Sequence, residues 1–80
     1  MRDEWSLARD ELVRAVEELG FPGELGEAAA RHLGSPKAMD RMRKYLYYVR
    51  PNTAEQIVDE MLSIRSEIDA WRERKNSRQS

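Results

Sequence analysis

The chain has 80 residues, a net charge of −1 and no cysteine; this length fits one domain, and the composition excludes disulfides, thiolate nucleophiles and thiolate metal sites. It begins MRDEW and contains no apolar run long enough for a signal peptide or a membrane span, so we expect neither and expect a cytoplasmic location. Helix-forming residues outnumber isoleucine, valine and threonine, which predicts an all-α fold.

The first predicted helix spans about residues 4–19. Gly20 favours a left-handed helix end and Pro22 cannot donate a helical hydrogen bond, so the helix is expected to stop before this pair. The apolar residues that recur at spacings of three and four mark one buried face, and they are Trp5, Ala8, Leu12, Ala15, Val16 and Leu19.

The second predicted helix is short, about residues 24–33, and Gly34 ends it. Its apolar stripe consists of Leu25, Ala28, Ala29 and Leu33. The third predicted helix spans residues 36–49, with Ser35 as its N-cap and Pro36 at its first position, where the missing N–H costs nothing. Its apolar seam consists of Met39, Met42, Leu46 and Val49.

The fourth predicted helix is the longest and spans about residues 53–74. Thr53 and Gln56 fit a capping box, in which each side chain accepts a hydrogen bond from the other residue's backbone N–H. The apolar residues that follow are spaced alternately by four and three, and they are Ile57, Met61, Ile64, Ile68 and Trp71.

These elements predict a compact four-helix domain over residues 1–75 and a disordered polar tail over residues 76–80. If short loops place successive helices antiparallel, the fourth helix packs antiparallel to the first. Trp71 is then expected to meet Trp5 at the open end of the bundle. The alternative is that this end of the molecule is a dimer seam.

Charge is unevenly distributed along the chain. Residues 1–30 carry a net charge of −5, residues 31–50 carry +5, and residues 51–80 carry −1. A basic middle segment suggests a basic surface that faces a partner. The alternative is that the basic segment docks on the acidic first helix of the same molecule.

The pattern of side chains argues against catalysis. The acidic residues come as sequence neighbours, which point in different directions on a helix and so cannot share a proton. His32 is the sole histidine, with Glu24 and Glu27 as weak potential co-ligands for a metal and nothing that would orient it as a base toward Ser35. We therefore expect no enzyme activity, no metal, no cofactor and no small-molecule ligand.

Residues 28–46, AAARHLGSPKAMDRMRKYL, resemble a helix-turn-helix. Ala30 and Gly34 stand four residues apart, as in the first helix and turn of that motif. The resemblance implies that Lys37, Arg41 and Lys44 of the third helix contact DNA phosphates or bases.

Residues 12–46 resemble a ubiquitin-associated (UBA-like) three-helix domain. Leu19, Gly20 and Phe21 match the Met-Gly-Phe/Tyr loop of that family with leucine in place of methionine, and Leu46 with Tyr47 or Tyr48 falls at the end of helix 3. The resemblance implies binding of a protein or peptide surface by this loop and helix end.

The sequence therefore predicts a protein-interaction module that binds a partner protein or a second copy of itself, with DNA binding through the third helix as the alternative. The tyrosines at the end of the third helix cannot all face one way, so at least one is expected to be exposed beside basic residues, as in interface hot spots. The predicted partner-binding surface consists of Phe21, Arg43, Lys44, Tyr47, Tyr48 and Arg50.

Overall fold

The computed structural model describes the backbone of residues 3–79 and the side chains of residues 3–72. Within that range the chain forms four α-helices and no strand, which confirms the predicted all-α four-helix fold. The helices are α1 (Glu4–Glu18), α2 (Gly23–Leu33), α3 (Pro36–Val49) and α4 (Ala54–Gln79). None of these helices has the length and apolarity that crossing a bilayer requires.

The predicted helix bounds agree with the structure within one residue except at the end of α4. This helix continues five residues beyond the expected end, so residues 76–79 lie within it. Ser80 lies outside the described residues, and the disordered tail stays a prediction.

Side-chain caps begin α1, α3 and α4, whereas α2 begins after Pro22 without one. The Ser35 hydroxyl accepts a hydrogen bond from the Ala38 N–H at 3.2 Å. Gln56 Oε1 accepts from the Thr53 N–H and the Thr53 hydroxyl accepts from the Gln56 N–H, both at 3.3 Å. Both predicted caps are thus confirmed, and each satisfies an N–H that has no partner within its helix. Asp3, which the pattern analysis did not single out, caps α1 by accepting from the Ser6 N–H at 2.7 Å.

Glycines with positive φ end α1 and α2. Gly20 has φ of 94° and Gly34 has φ of 79°, a left-handed conformation that residues with a side chain rarely adopt. The N–H of Phe21 donates to the Val16 carbonyl at 3.2 Å, which closes a Schellman motif at the end of α1.

The core is built mainly from the predicted apolar faces. Three predictions are corrected: Ala28 and Val49 are exposed, and Trp71 is more than half exposed. Val49 is the last residue of α3, and Trp71 is the second-to-last residue of α4 whose side chain is described; each is 56% exposed. The buried apolar residues are Leu12, Val16, Ala29, Ala30, Leu33, Ala38, Met39, Met42, Leu46, Ile57 and Ile64.

On α2, small residues face α1. Gly26 and Ala30 are buried, although neither belonged to the predicted stripe. A Cβ atom added to Gly26 would lie 2.7 Å from the Cα atom of Val13, so the two helix backbones approach more closely there than any side chain allows. Gly26 therefore lies where α1 and α2 cross.

The prediction that α4 packs antiparallel to α1 is wrong. α4 packs on α2 and α3 instead. No Cα atom of α1 lies within 8 Å of a described Cα atom of α4, because α2 and α3 each contact both of these helices and lie between them. The expected contact between Trp5 and Trp71 does not form. Trp5 instead donates from its indole Nε1 to the Gly34 carbonyl at 3.3 Å, and the Arg9 guanidinium lies 5.8 Å from its ring centroid.

The molecule is elongated, with extents of 46 × 33 × 19 Å. Its radius of gyration is 13.5 Å, whereas a compact domain of this length has about 12 Å. α4 has 26 residues, equivalent to about 39 Å of helix. Burial falls along its described side chains, from Ile57 and Ile64, which are fully buried, through Ile68, which is partly buried, to Trp71, which is 56% exposed.

Candidate binding surface

A cleft of about 210 Å³ lies between the second half of α1 and the end of α3. Apolar side chains, those of Ala15, Leu19 and Leu46, form one part of its lining, and the ring of Tyr47 adds to it. Charged side chains line the rest of this α1–α3 cleft, and they are Glu11, Arg14, Glu18, Arg43 and Arg50.

Two tyrosines at the end of α3 project into solvent. Tyr47 is 70% exposed and Tyr48 is 78% exposed, which confirms the expectation that at least one tyrosine of the group would be accessible. Their rings meet edge to face, with centroids 5.1 Å apart and an interplanar angle of 88°. Tyr45, by contrast, packs partly buried against the core. We call Tyr47 and Tyr48 the tyrosine edge.

Arg50 ends α3 in a left-handed conformation, with φ of 52° and ψ of 65°. It is the one non-glycine residue with positive φ in the described part of the chain, and its N–H donates to the Leu46 carbonyl at 3.1 Å. An L-residue in this region costs about 1 kcal/mol or more relative to glycine. Such strain clusters at functional sites in proteins, and here it lies at the cleft beside the tyrosine edge.

Arg43 and Lys44 are held by carboxylates of the same molecule. Arg43 Nη2 lies 2.7 Å from Asp40 Oδ1, and Arg43 Nε lies 3.4 Å from Glu11 Oε2 on α1. Lys44 Nζ lies 3.2 Å from Asp40 Oδ2. Asp40 accepts hydrogen bonds from Arg43 and, with a smaller effect, from Lys44, and these bonds hold the pKa of its carboxyl below its usual value. Of these contacts only the one between Arg43 and Glu11 reaches the acidic first helix, so among the described side chains the second interpretation of the charge pattern holds for Arg43 alone.

Arg14 and Arg50 differ from Arg43, because neither forms an ion pair with any described side chain. Both line the α1–α3 cleft and are exposed, so their guanidinium groups are available to a carboxylate brought by a partner.

The structure brings together half of the predicted partner-binding residues. Arg43, Tyr47 and Arg50 line the cleft, Tyr48 stacks on Tyr47 beside it, and Lys44 is exposed on the same helix. Phe21 is half-buried and packs against the core next to the Schellman motif, so its placement explains its residue type without a ligand. The contribution of α1 was missed, and it consists of Glu11, Arg14, Ala15, Glu18 and Leu19.

The residues predicted to contact DNA are partly neutralised. Arg41 Nη2 lies 2.6 Å from Glu67 Oε2 on α4, and Lys44 pairs with Asp40. Lys37 is exposed and forms no ion pair with the side chains described. Two of the three bases thus already have carboxylate partners.

His32 is exposed on α2. Among the residues that the structure describes, no group of three or more His, Cys, Asp or Glu side chains is arranged to hold a metal ion.

No protein-family model matches the chain, and no match is found among curated proteins or among solved structures. The resemblances to the helix-turn-helix and to UBA-like domains therefore stay predictions from the residues that carry them. Function has to be argued from the chemistry of the surface.

Proposed function

We propose that this chain is a non-enzymatic protein-interaction module whose tyrosine edge anchors a partner segment in the α1–α3 cleft. The observation that carries the proposal is the pair of exposed tyrosine rings beside a cleft that has an apolar lining and two arginines, Arg14 and Arg50, without an ion pair to any described side chain. Tyrosine and arginine are enriched among the residues that dominate binding energy at protein interfaces. A tyrosine loses little conformational entropy on binding, because only two side-chain torsions are restricted.

The size of the cleft supports a peptide segment as its ligand. Pockets for drug-sized molecules have volumes of about 300–1,000 Å³, whereas this cleft has about 210 Å³ and opens to solvent. That volume suits one or two side chains of a partner. An apolar side chain would pack on Ala15 and Leu19 against the ring of Tyr47, and a neighbouring carboxylate would pair with Arg14 or Arg50.

The UBA-like resemblance supports the same binding site on the molecule. Leu19 belongs to the loop segment that carries the resemblance and Tyr47 to the end of the third helix. Both line the α1–α3 cleft, so the two segments meet at one surface.

We also propose a cytoplasmic location for the protein, which the absence of cysteine supports.

DNA binding through Lys37, Arg41 and Lys44 receives less support than protein binding. DNA binding is driven by cationic side chains that displace the counterions condensed on the phosphates, and Arg41 and Lys44 are already paired with Glu67 and Asp40. Self-association through the tyrosine edge remains compatible with the proposal, because a second copy is also a protein partner.

The experiment is selection of binders from a displayed library of short random peptides against the labelled full chain. The test variant is Tyr47→Ser with Tyr48→Ser, and the matched control is Leu62→Ser, which removes an exposed apolar side chain from α4. Circular dichroism checks that all three proteins are folded.

We expect enriched peptides with an apolar residue next to an acidic one, and we expect them to bind the wild type and the Leu62→Ser control equally. The double tyrosine variant should lose this binding. Failure to enrich any peptide, together with a strictly monomeric mass by light scattering, would overturn the proposal. Enriched peptides that bind the double tyrosine variant as tightly as the wild type would overturn the assignment of the site.

A further inference from the structure

A second groove, of about 630 Å³, lies between the first turns of α3 and the last described turns of α4. It stands at the opposite end of α3 from the tyrosine edge, so the two surfaces are separate. Ile68 contributes apolar surface to it, the buried Ala38 lies at its base, and Trp71, which is 56% exposed, forms a wall. We call this the α3–α4 groove.

The charge at the rim of this groove is positive. Among the residues whose side chains are described, Lys37, Arg41 and Arg72 line it together with the acidic Glu67. Arg41 is engaged by Glu67 at 2.6 Å, which cancels one charge of each sign. Lys37 and Arg72 form no ion pair with any side chain among residues 3–72, and the described lining residues carry a net charge of +2.

The apolar lining continues the buried seam of α4 after the core has ended. Ile57 and Ile64 are fully buried, Ile68 is partly buried, and Trp71 is largely exposed. Two adjacent helices with an uncovered apolar groove between them can accept a third helix, which inserts side chains spaced by three and four residues. The larger volume suits several such side chains, unlike the α1–α3 cleft.

We propose that the α3–α4 groove is a second docking site, and that its occupant is an acidic amphipathic helix of a partner protein. The apolar stripe of that helix packs on Ile68 and Trp71. Its flanking carboxylates pair with Lys37 and Arg72, and this charge complementarity is what selects an acidic partner over a neutral or basic one. The inference goes beyond the function proposed for the tyrosine edge and uses none of its residues.

The test is a displayed library of helical peptides of about 15 residues, with apolar residues at one stripe and either Glu or Lys at the flanking positions. The full chain is the bait. The variants are Trp71→Ala, the charge reversal Lys37→Glu with Arg72→Glu, and Tyr47→Ser with Tyr48→Ser as the matched control at the other surface. Nuclear magnetic resonance follows the indole N–H signals of Trp5 and Trp71 as reporters.

We expect peptides with Glu at the flanks to be enriched and to shift the Trp71 indole signal while the Trp5 signal moves little. Charge reversal should weaken their binding at least about tenfold, and exchanging Glu for Lys in the peptide should restore it. Trp71→Ala should abolish binding, and the tyrosine control should leave it intact. If the helical peptides fail to bind while the peptides selected for the tyrosine edge still bind, this inference fails and the proposed function stands.

Four results would overturn the inference: no enrichment, equal enrichment of Lys-flanked and Glu-flanked peptides, binding that survives Trp71→Ala, or a shift of the Trp71 signal by duplex DNA instead of peptide. A dimeric mass by light scattering that Trp71→Ala returns to that of a monomer would assign the groove to a second copy of this chain and overturn the proposed partner.

Discussion

At the residue scale, Arg50 combines an unfavourable backbone conformation with a position at the α1–α3 cleft. Glycine would end α3 at lower cost, as Gly20 and Gly34 do for α1 and α2. A side chain kept where glycine is favoured points to a role for the guanidinium group, and the proposed function gives it one.

Replacing Arg50 with glycine should therefore separate stability from binding. We expect Arg50→Gly to raise the free energy of unfolding by roughly 0.5–1 kcal/mol. Glycine relieves the strain of the left-handed conformation, and the greater entropy of glycine in the unfolded chain offsets part of that gain. The same variant should bind the selected peptides more weakly. Urea unfolding and a peptide titration measure the two effects, and a variant that is destabilised or binds as tightly as the wild type would contradict this role.

The lowered pKa of Asp40 gives a second residue-scale prediction. Because the pKa of this carboxyl is lower in the folded chain than in the unfolded chain, its ion pairs stabilise the fold at neutral pH and that contribution is lost as the pH falls through the lowered pKa. Asp40→Asn should be less stable than the wild type at neutral pH, and the difference should close in acid. Urea midpoints of both proteins across this pH range are the measurement; a difference that does not change with pH would refute the linkage.

At the element scale, local signals predicted the helices and long-range packing escaped prediction. Ser35, Thr53, Gly20 and Gly34 act on neighbouring backbone groups, so helix starts and ends can be derived from short stretches of sequence. The apolar spacing of α4 shows which of its faces is buried but carries no information on which helix covers that face. For the same reason the tyrosine edge was predictable, whereas the α1 side of the cleft was not.

The crossing of α1 and α2 at Gly26 is testable with a pair of glycine substitutions. Gly26→Ala should lower the free energy of unfolding by about 1–2 kcal/mol, since overpacking against the Val13 backbone outweighs the gain in helix propensity. At Gly23 an added Cβ meets the end of the Glu17 side chain, which can move. Gly23→Ala should thus change stability by no more than about 0.5 kcal/mol. Equal losses in urea unfolding would mean that the helices are not closely packed at Gly26.

The two tryptophans should contribute differently to stability because only one packs on the core. Trp5 is partly buried against the core and donates a hydrogen bond to the Gly34 carbonyl. Trp5→Ala should therefore lower the free energy of unfolding by about 1–3 kcal/mol, which is less than the loss for a fully buried tryptophan. Trp71→Ala should cost less than about 1 kcal/mol, because this side chain is more than half exposed. Thermal unfolding of both variants provides the comparison, and a larger loss for Trp71 would show that α4 covers the core differently.

At the scale of the whole molecule, α3 connects two surfaces of different character. Its C-terminal end carries the tyrosine edge and the α1–α3 cleft, and its N-terminal end carries the cationic rim of the α3–α4 groove. Arg41, Arg43 and Lys44 pair with carboxylates of the same molecule, whereas Lys37 and Arg50, nearer the two ends of the helix, form no ion pair with the side chains described. The two proposals together predict that the chain holds two partner segments at once.

The central claim is that the tyrosine edge supplies the binding energy for a partner segment. The most direct measurement is the dissociation constant of a selected peptide for the wild type and for the Tyr47→Ser, Tyr48→Ser variant, each at low and at physiological salt. Two hot-spot side chains predict a loss of affinity of at least about 30-fold with little dependence on salt. Unchanged affinity in the variant, or wild-type binding that falls steeply with salt as phosphate contacts do, would contradict the claim.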